Sequence, residues 1–548
     1  MGNTHKTEFK KRLLIVGGGS AGWITAAYLN GALNARGAEK NVEITLIESP
    51  DIPRISVGEA TIPSIGHILS VIGLDEMEFM KATEATFKQS IKYVNWLHND
   101  GSFYHHPFSR YRAGPIDRSA QDWIGTNRGI PFTETVSAQV QICEMGLAPQ
   151  MLGQWDFGAR LKYAFHMNAQ KFADYLRDFS VERGVKHIQA NVTKTNVGKN
   201  GHIRSVETDH ETELSADLFV DCTGFSAHLI EKALGVGFED CSQFLFCDRA
   251  AVMQIPYEDY FPSQVRPYTT ATAQSAGWIW DIPMSTRRSI GYVHSSSFIS
   301  KDQAEREVHA YEGKHAEKYP IRFVNFKVGR RKQSWKGNCI AIGLSGGFIE
   351  PLESTGIYLA DLASVMLAEH FPFTDNSMDA MAFRFNRIMS NRFYEILDFI
   401  NMHYCLTRRT DTEFWKTVQR PEHITDRLAA KLEFWKLKLP SSADFEDQFF
   451  PGQSMTSSVA AADGRPAVDT AGLWNHESYE AILYGMDFRG PEFKTLLGDK
   501  RPPSRMPEFM IQRLQGARQK LPPHHIWLNR VLGMKPYEMH PPPPGWSA

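Results

Sequence analysis

The chain is poor in cysteine and has none in a pattern that binds or pairs. Six stand at 143, 222, 241, 247, 339 and 405. No Cys-x-x-Cys and no Cys/His cluster at zinc spacing occurs, which excludes a zinc ribbon or a redox dithiol and gives no metal site. Their mostly apolar surroundings are those of ordinary buried thiols and fit a reducing cytoplasm. Excess charge of one sign is also missing, since 60 Lys and Arg face 62 Asp and Glu. Neither nucleic acid nor an anionic membrane is therefore an expected partner. A true membrane-spanning run is absent as well. Leu13 to Ala35 is uncharged and follows Lys10-Lys11-Arg12, which mimics a signal peptide or a span. Three consecutive glycines would weaken a spanning helix, however, and Leu13-Leu14-Ile15-Val16 ahead of them suits a buried parallel strand. The expectation is a soluble, cytoplasmic protein. No internal repeat is visible.

Aromatic residues, by contrast, make up 12% of the chain, with 12 Trp and 34 Phe. They imply a large core or an aromatic-lined pocket. A length of 548 residues allows roughly two to four domains, or one large cofactor module with insertions. Residues 12–16 read as a strand, 17–22 as a turn, 23–35 as a helix and Val42–Glu48 as a second strand, a βαβ unit. A helix from Asn168 to Arg183 is followed by a strand. Leu214–Asp221 runs into Asp221-Cys222-Thr223-Gly224, and Cys339–Gly343 into Leu344-Ser345-Gly346-Gly347. The fold class is thus α/β, with a Rossmann-like dinucleotide-binding module assembled from separated segments. That module is expected to span 10–370, with inserted segments at about 96–165 and 245–325 facing the substrate. Residues 371–548 are expected to form a mainly helical part that covers the substrate. Ala360–His370, Asp379–Met402 and Pro421–Lys438 are the clearest helices. Residues 451–470 read as a loop or lid, and Pro541–Pro544 as a tail without chemistry.

Gly17-x-Gly19-x-x-Gly22 lies between the first strand and its helix. Gly17 permits the tight turn, Gly19 lets the backbone approach a pyrophosphate, and Gly22 allows close helix packing. Glu48, ending the second strand, can accept from both ribose hydroxyls and disfavours a 2′-phosphate. FAD is preferred over NAD because the motif stands near the N-terminus and further small-residue turns follow at Asp221–Gly224 and Gly343.

Four more stretches carry chemistry. Ile52 to Ser64, with its Pro and Gly, is a rigid shaped loop. Phe87-Lys88-Gln89-Ser90-Ile91-Lys92-Tyr93 offers two lysines, each of which on composition alone is a solvated surface charge. Gly277-Trp278-Ile279-Trp280-Asp281-Ile282-Pro283 alternates Trp278, Trp280 and Ile282 as a hydrophobic strand would. Gly343 to Tyr358 contains two carboxylates, Glu350 and Glu353, and a helix start that Ser354 or Thr355 could cap.

Together these motifs resemble the flavin-dependent halogenases of the tryptophan type, from about residue 12 to about residue 440. The resemblance implies an enzyme in which FADH2, O2 and a halide, chloride or bromide, give hypohalous acid that halogenates an electron-rich aromatic. It places the catalytic lysine on Lys88, with Lys92 as a decoy, and the second catalytic residue on Glu353, with Glu350 as a structural carboxylate. The halide site falls on Thr355 and Gly356, where backbone N–H groups at a helix start would hold an anion. Flavin contacts carried over are Gly18, Ser20, Ala21, Ser49, Ile52, Ile55, Val57, Ala60, Val192, Leu344 and Ile357, beside Gly17, Gly19, Gly22 and Glu48. Trp278 and Trp280 would keep an organic substrate from the flavin, so that only a small oxidant passes. An FAD-dependent aromatic monooxygenase is the alternative.

On the substrate side the pattern thins. Tyr104-His105 resembles a segment that stacks on the indole, while His106-Pro107-Phe108 departs from it; His105, Phe108 and Trp474 are the candidate substrate residues. Where the family grips the amino acid with Tyr and Glu, residues 455–465 have neither, and Leu473 stands where Phe would. A zwitterion left unpaired there would cost a few kcal/mol. Indole or an indole derivative is expected rather than free tryptophan. Nothing resembles a second nucleotide fold for NADH, so a separate flavin reductase is the expected partner. A homodimer is left open.

Overall fold

Leu13-Leu14-Ile15-Val16 is buried throughout and forms the middle of a parallel sheet, as its unbroken apolar run requires. The strand Lys11–Val16 pairs in parallel with Val42–Glu48 on one side and Leu218–Asp221 on the other. Lys186–Gln189 and Cys339–Ala341 extend the two flanks, and the antiparallel Trp335–Lys336 closes one edge of six strands. The computed structural model describes residues 11–34, 41–52, 58–111, 117–153, 161–260, 264–374, 377–441, 444, 473–490 and 500–533. Ile55, Val57, the 451–470 loop, the 455–465 stretch and the proline-rich end lie outside them.

The first helix starts at Ser20 and runs to Asn34, three residues earlier than the pattern predicts. Gly17, at φ +115°, makes the turn almost alone, and a Cβ there would lie 2.2 Å from the Cys222 carbonyl oxygen. Gly22 is already helical, and a Cβ on it would lie 2.0 Å from the Gly17 oxygen. The helix is buried from Gly22 to Leu29 between the sheet, the helix Ala169–Glu182 and the helix Thr355–Glu369. Asn168 caps Ala169–Glu182 by accepting from Gln170 and Lys171 N–H groups.

Other boundaries move for identifiable reasons. The expected strand 214–221 breaks into Glu213–Ser215, in a separate three-stranded sheet, and Leu218–Asp221. Between them Asp217 is taken by Arg12, whose backbone N–H donates to its carboxylate at 2.7 Å. Pro421–His423 is a single tight turn, and the helix that follows, Asp426–Trp435, begins where Thr425 caps it. The long helix is Met378–Cys405.

A second sheet of seven strands runs Arg322–Asn325, Arg249–Pro256, Arg287–His294, Gly277–Pro283, Thr269–Ala273, Ser90–Val94 and Phe103–Pro107. The Trp-containing strand Gly277–Pro283 is buried at all seven residues. Its one charged side chain, Asp281, accepts from Arg288 at 2.6 and 3.1 Å and from Arg266, and Arg288 also meets Glu312 at 2.6 Å. Burial alone would push the Asp281 carboxyl up, but the two guanidinium groups outweigh it and hold it well below the usual range. A small sheet joins Gly58–Ala60, Ala164–Asn168 and Thr86–Lys88. The main hydrophobic core extends from Leu13 to Leu532 and joins the six-stranded, the seven-stranded and this small sheet to C-terminal helices.

Asp281→Ala leaves Arg266 without its carboxylate and Arg288 with Glu312 alone, and should cost about 3–5 kcal/mol. Urea denaturation of the variant against the parent measures this; a change below about 1 kcal/mol would mean that the cluster is solvated.

Candidate active site

A cleft of about 480 Å³ opens at the carboxyl ends of the parallel strands, where α/β sheets bind dinucleotides. The glycine turn and helix start form one wall, with Gly17, Gly18, Gly19, Ser20 and Ala21. Glu48, Ser49, Ile52, Ala60 and Val192 form a second, and Leu344, Gly356 and Ile357 a third. Trp278 and Trp280 line it as well. Gly22 does not line the cleft and serves packing. A Cβ on Gly19 would meet nothing within 4 Å, so room is left beside helix-start N–H groups, as a pyrophosphate requires. A Cβ on Gly18 would overlap the Glu48 carboxylate, which is held by His187 Nε2 at 2.8 Å. Ser49 Oγ bonds to Asn191, and Ser20 Oγ donates to the Ala169 carbonyl at 3.3 Å. Thr223 and Gly224 of the expected second turn also reach the cleft. Open glycine backbone, a ribose-ready carboxylate and apolar Ile and Trp walls fit a flavin dinucleotide.

Lys88 ends the strand Thr86–Lys88 and is fully buried. Its ammonium donates to the Thr61 carbonyl at 2.9 Å and to Ser354 Oγ at 2.7 Å, and lies 5.3 Å from the Phe108 ring centre. Burial pushes the amine down to about 7, against an opposing pull from Glu353. Ser354 also lines the cleft, so its hydroxyl joins cleft and lysine. Ser354, left-handed at φ +60°, makes no capping bond to the helix Thr355–Glu369, and its hydroxyl accepts from Lys88 instead.

Glu353 and Ser354 have φ of +66° and +60°, two consecutive left-handed residues without glycine. Each such residue costs about 1–3 kcal/mol and persists only where its surroundings hold it. The Glu353 carboxylate is held by hydrogen bonds from two side chains and has a third beside it. Tyr93 OH donates to it, His106 Nδ1 lies 2.9 Å from both oxygens, and His403 Nε2 lies 3.4 Å away. Burial pushes this carboxyl up, but His106 and His403 outweigh it and keep it well below the usual range. Glu353 is therefore an ionised acceptor. Glu350 differs. It accepts from the Trp278 indole N–H at 3.0 Å and from Tyr404 OH at 2.7 Å, and burial pushes it up to about 7. It anchors the Trp strand.

Strand geometry sorts the decoys from the site. Ser90–Val94 and Phe103–Pro107 pair with Ile91 opposite His106 and Tyr93 opposite Tyr104, so these four share one face. Lys92 and His105 point to the other face, where both meet Glu144, at 2.9 and 3.0 Å. His105 thus stands away from Glu353, and its neighbour His106 takes the place beside it. Trp474 stacks on Phe399 at 4.0 Å, and Phe399 lies within 5.8 Å of the His106 ring and 5.3 Å of the His403 ring. Thr355 Oγ1 is buried with no bonding partner among the described residues, at the first turn of its helix.

Tyr93, His106, Thr61 and His403 were not singled out by sequence reasoning, and Ser354 only as a helix cap, a bond it does not make. Strand alternation carried a signal for Tyr93 and His106. His403, brought in from the middle of a long helix, gave none.

The family model for tryptophan halogenase matches residues 12–501. Tryptophan 6-halogenase SttH of Streptomyces toxytricini is 35% identical over 457 residues, covering 80% of this chain and 86% of the relative. Tryptophan halogenase from Shewanella frigidimarina NCIMB 400 superimposes with a TM-score of 0.84 at 32% identity, over 95% of this chain and 98% of that one. Tar14, a tryptophan C-6 flavin-dependent halogenase (chlorinase) from taromycin biosynthesis, gives 0.82 at 32% identity, over 95% and 99%.

Because Glu353 raises the Lys88 amine against desolvation, Glu353→Gln should move it further down. NMR titration of protein carrying ¹³Cε-lysine, assigned with Lys88→Met, should show a resonance titrating near 7 in the parent. In the variant that midpoint should fall by about one unit; an upward move would refute the coupling.

Proposed function

The chain belongs to the tryptophan halogenase family, and on that premise we propose that this flavin-dependent halogenase acts through Lys88 and Glu353 on indole or an indole derivative rather than on free tryptophan. Reduced flavin and O2, once bound, supply the oxidant that turns chloride or bromide into hypohalous acid. The glycine turn, Glu48 and Ser49 would hold the phosphates and ribose, and Ala60, Val192, Leu344 and Ile357 the remainder. Ile55 and Val57, from the same loop as Ile52, are assigned to the flavin by resemblance alone. Thr355 and Gly356 would hold the halide on helix-start N–H groups. Trp278 and Trp280 would exclude the aromatic substrate from the cleft.

The observation that carries this reading is the Lys88 contact with Ser354, a residue that also lines the cleft. A small oxidant leaving the cleft there would meet a proton donor whose amine lies near neutrality, suited to proton transfer at physiological pH. Glu353, kept ionised by Tyr93, His106 and His403, would accept the proton that the aromatic ring loses on substitution. His106, Phe108 and the Phe399–Trp474 stack would hold the ring against these two groups, with residues 371–548 covering it. His105 would support this wall from behind, through Ser90 and Glu144.

Residues 455–465 carry neither Tyr nor Glu, which supports a substrate without a free zwitterion. The relatives named above are tryptophan halogenases by name, so tryptophan is the competitor to be tested. A separate reductase would supply FADH2.

Purified protein with a flavin reductase, FAD, NADH and bromide should yield the bromine isotope doublet on indole by mass spectrometry, with kcat/KM at least about tenfold above that on tryptophan. Lys88→Ala should remove the product, and Glu353→Gln should lower kcat by about 100-fold or more. Faster turnover of tryptophan would overturn the substrate assignment, and hydroxylated product without bromine would favour a monooxygenase.

A further inference from the structure

Glu395 is a buried carboxylate on the long helix Met378–Cys405. A carboxylate taken out of water needs bonded donors. One oxygen accepts from the Arg392 guanidinium, one turn back along the helix. The other accepts two backbone N–H groups from a distant part of the chain, Leu473 at 2.8 Å and Trp474 at 3.0 Å. The carboxylate therefore ties Leu473 and Trp474 to the helix.

Phe399 and His403 follow Glu395 at intervals of four residues, on the same stripe of that helix. The Trp474 indole lies nearly flat on the Phe399 ring, at 4.0 Å and 19°. Tyr479, from the helix His476–Gly485, meets the same ring edge-on at 4.8 Å. The Phe399 ring is 5.8 Å from that of His106, and His403 Nε2 is 3.4 Å from Glu353. Backbone and ring of Trp474 are thus held by one stripe of one helix, and that stripe ends beside Glu353. A stacked pair tolerates lateral offset, so stacking alone leaves the indole free to slide over Phe399. Two consecutive N–H groups on one charged oxygen fix the peptide, and with it the direction in which the indole leaves the backbone.

We propose that Glu395 is a positioning residue for the aromatic substrate: through the Leu473 and Trp474 N–H groups it holds the Trp474 indole where the substrate ring must lie. The inference rests on the reading of Phe399 and Trp474 as a wall of the substrate site. Both carboxylate oxygens are needed, because an amide in this place turns an NH2 group toward either Arg392 or the two backbone N–H groups, donor against donor.

Steady-state kinetics test this on whichever of indole and tryptophan the parent turns over faster, for the parent, Glu395→Gln, Trp474→Ala and the double variant. Glu395→Gln should raise KM about tenfold and change kcat by less than about threefold, as loss of binding rather than of chemistry does. In the Trp474→Ala background the same substitution should raise KM by less than about twofold, since the group it positions is gone. Deuterium uptake at Leu473 and Trp474 should be faster in Glu395→Gln than in the parent. An equal KM factor in both backgrounds would show a general effect on the fold and overturn the proposal, as would an unchanged KM or an unchanged uptake. Should Glu395→Gln fail to fold, Arg392→Met/Glu395→Met removes the tie without stranding the arginine. It should show the same rise, and a parent-like KM there overturns the proposal. A parent whose KM is unmoved by Trp474→Ala would remove the wall reading, and this proposal with it.

Discussion

The site depends on two residues held in a backbone conformation that neither favours. Glu353 and Ser354 are both left-handed, between a tight turn and the helix Thr355–Glu369. A chain that entered the helix directly would not bring a carboxylate and a hydroxyl to these two places from adjacent positions. Instead Ser354 reaches Lys88 and the cleft, and Glu353 reaches Tyr93, His106 and His403. The side-chain bonds on each residue hold the strained backbone, and the strained backbone sets where those bonds can form. Glycine would remove the strain at either position and both bonded groups with it.

Burial acts in opposite senses on the two principal groups. Lys88 has a carbonyl and a hydroxyl as acceptors, and desolvation brings its amine near neutrality. Glu353 has a hydroxyl and two imidazoles, and these outweigh a desolvation of the same kind. A proton donor that can lose its proton thus stands near an acceptor that keeps its charge. Glu350, three residues earlier and equally buried, has only neutral donors and is pushed up instead. The same residue type serves as anion or as neutral anchor according to what donates to it.

Much of the scaffold was legible because the relevant signals are local. Val42–Glu48 has the boundaries its alternation and terminal acid predict, and the apolar run before Gly17 is the central strand. Errors arose where a tertiary contact overrides the local pattern. Asp217, claimed by Arg12, cuts one predicted strand short, and the turn at Gly17 is complete by Gly19, so the helix starts at Ser20. The site was legible only through resemblance. Lys88 and Lys92 are indistinguishable by composition, and what separates them is burial against Ser354 on one side and pairing with Glu144 on the other.

His105 and His106 show why a one-residue difference decides function in a strand. Adjacent side chains leave opposite faces, so a segment matched one position off puts the wrong histidine at the site. The pairing of Tyr93 with Tyr104 fixes the register, and with it the face on which His106 meets Glu353. The register in turn rests on the neighbouring strand Thr269–Ala273, which joins the hairpin to the Trp strand in one sheet. The Trp strand that borders the cleft and the histidine that orders the acid are thus parts of one hydrogen-bonded sheet. A shift of either would move the cleft wall and Glu353 together.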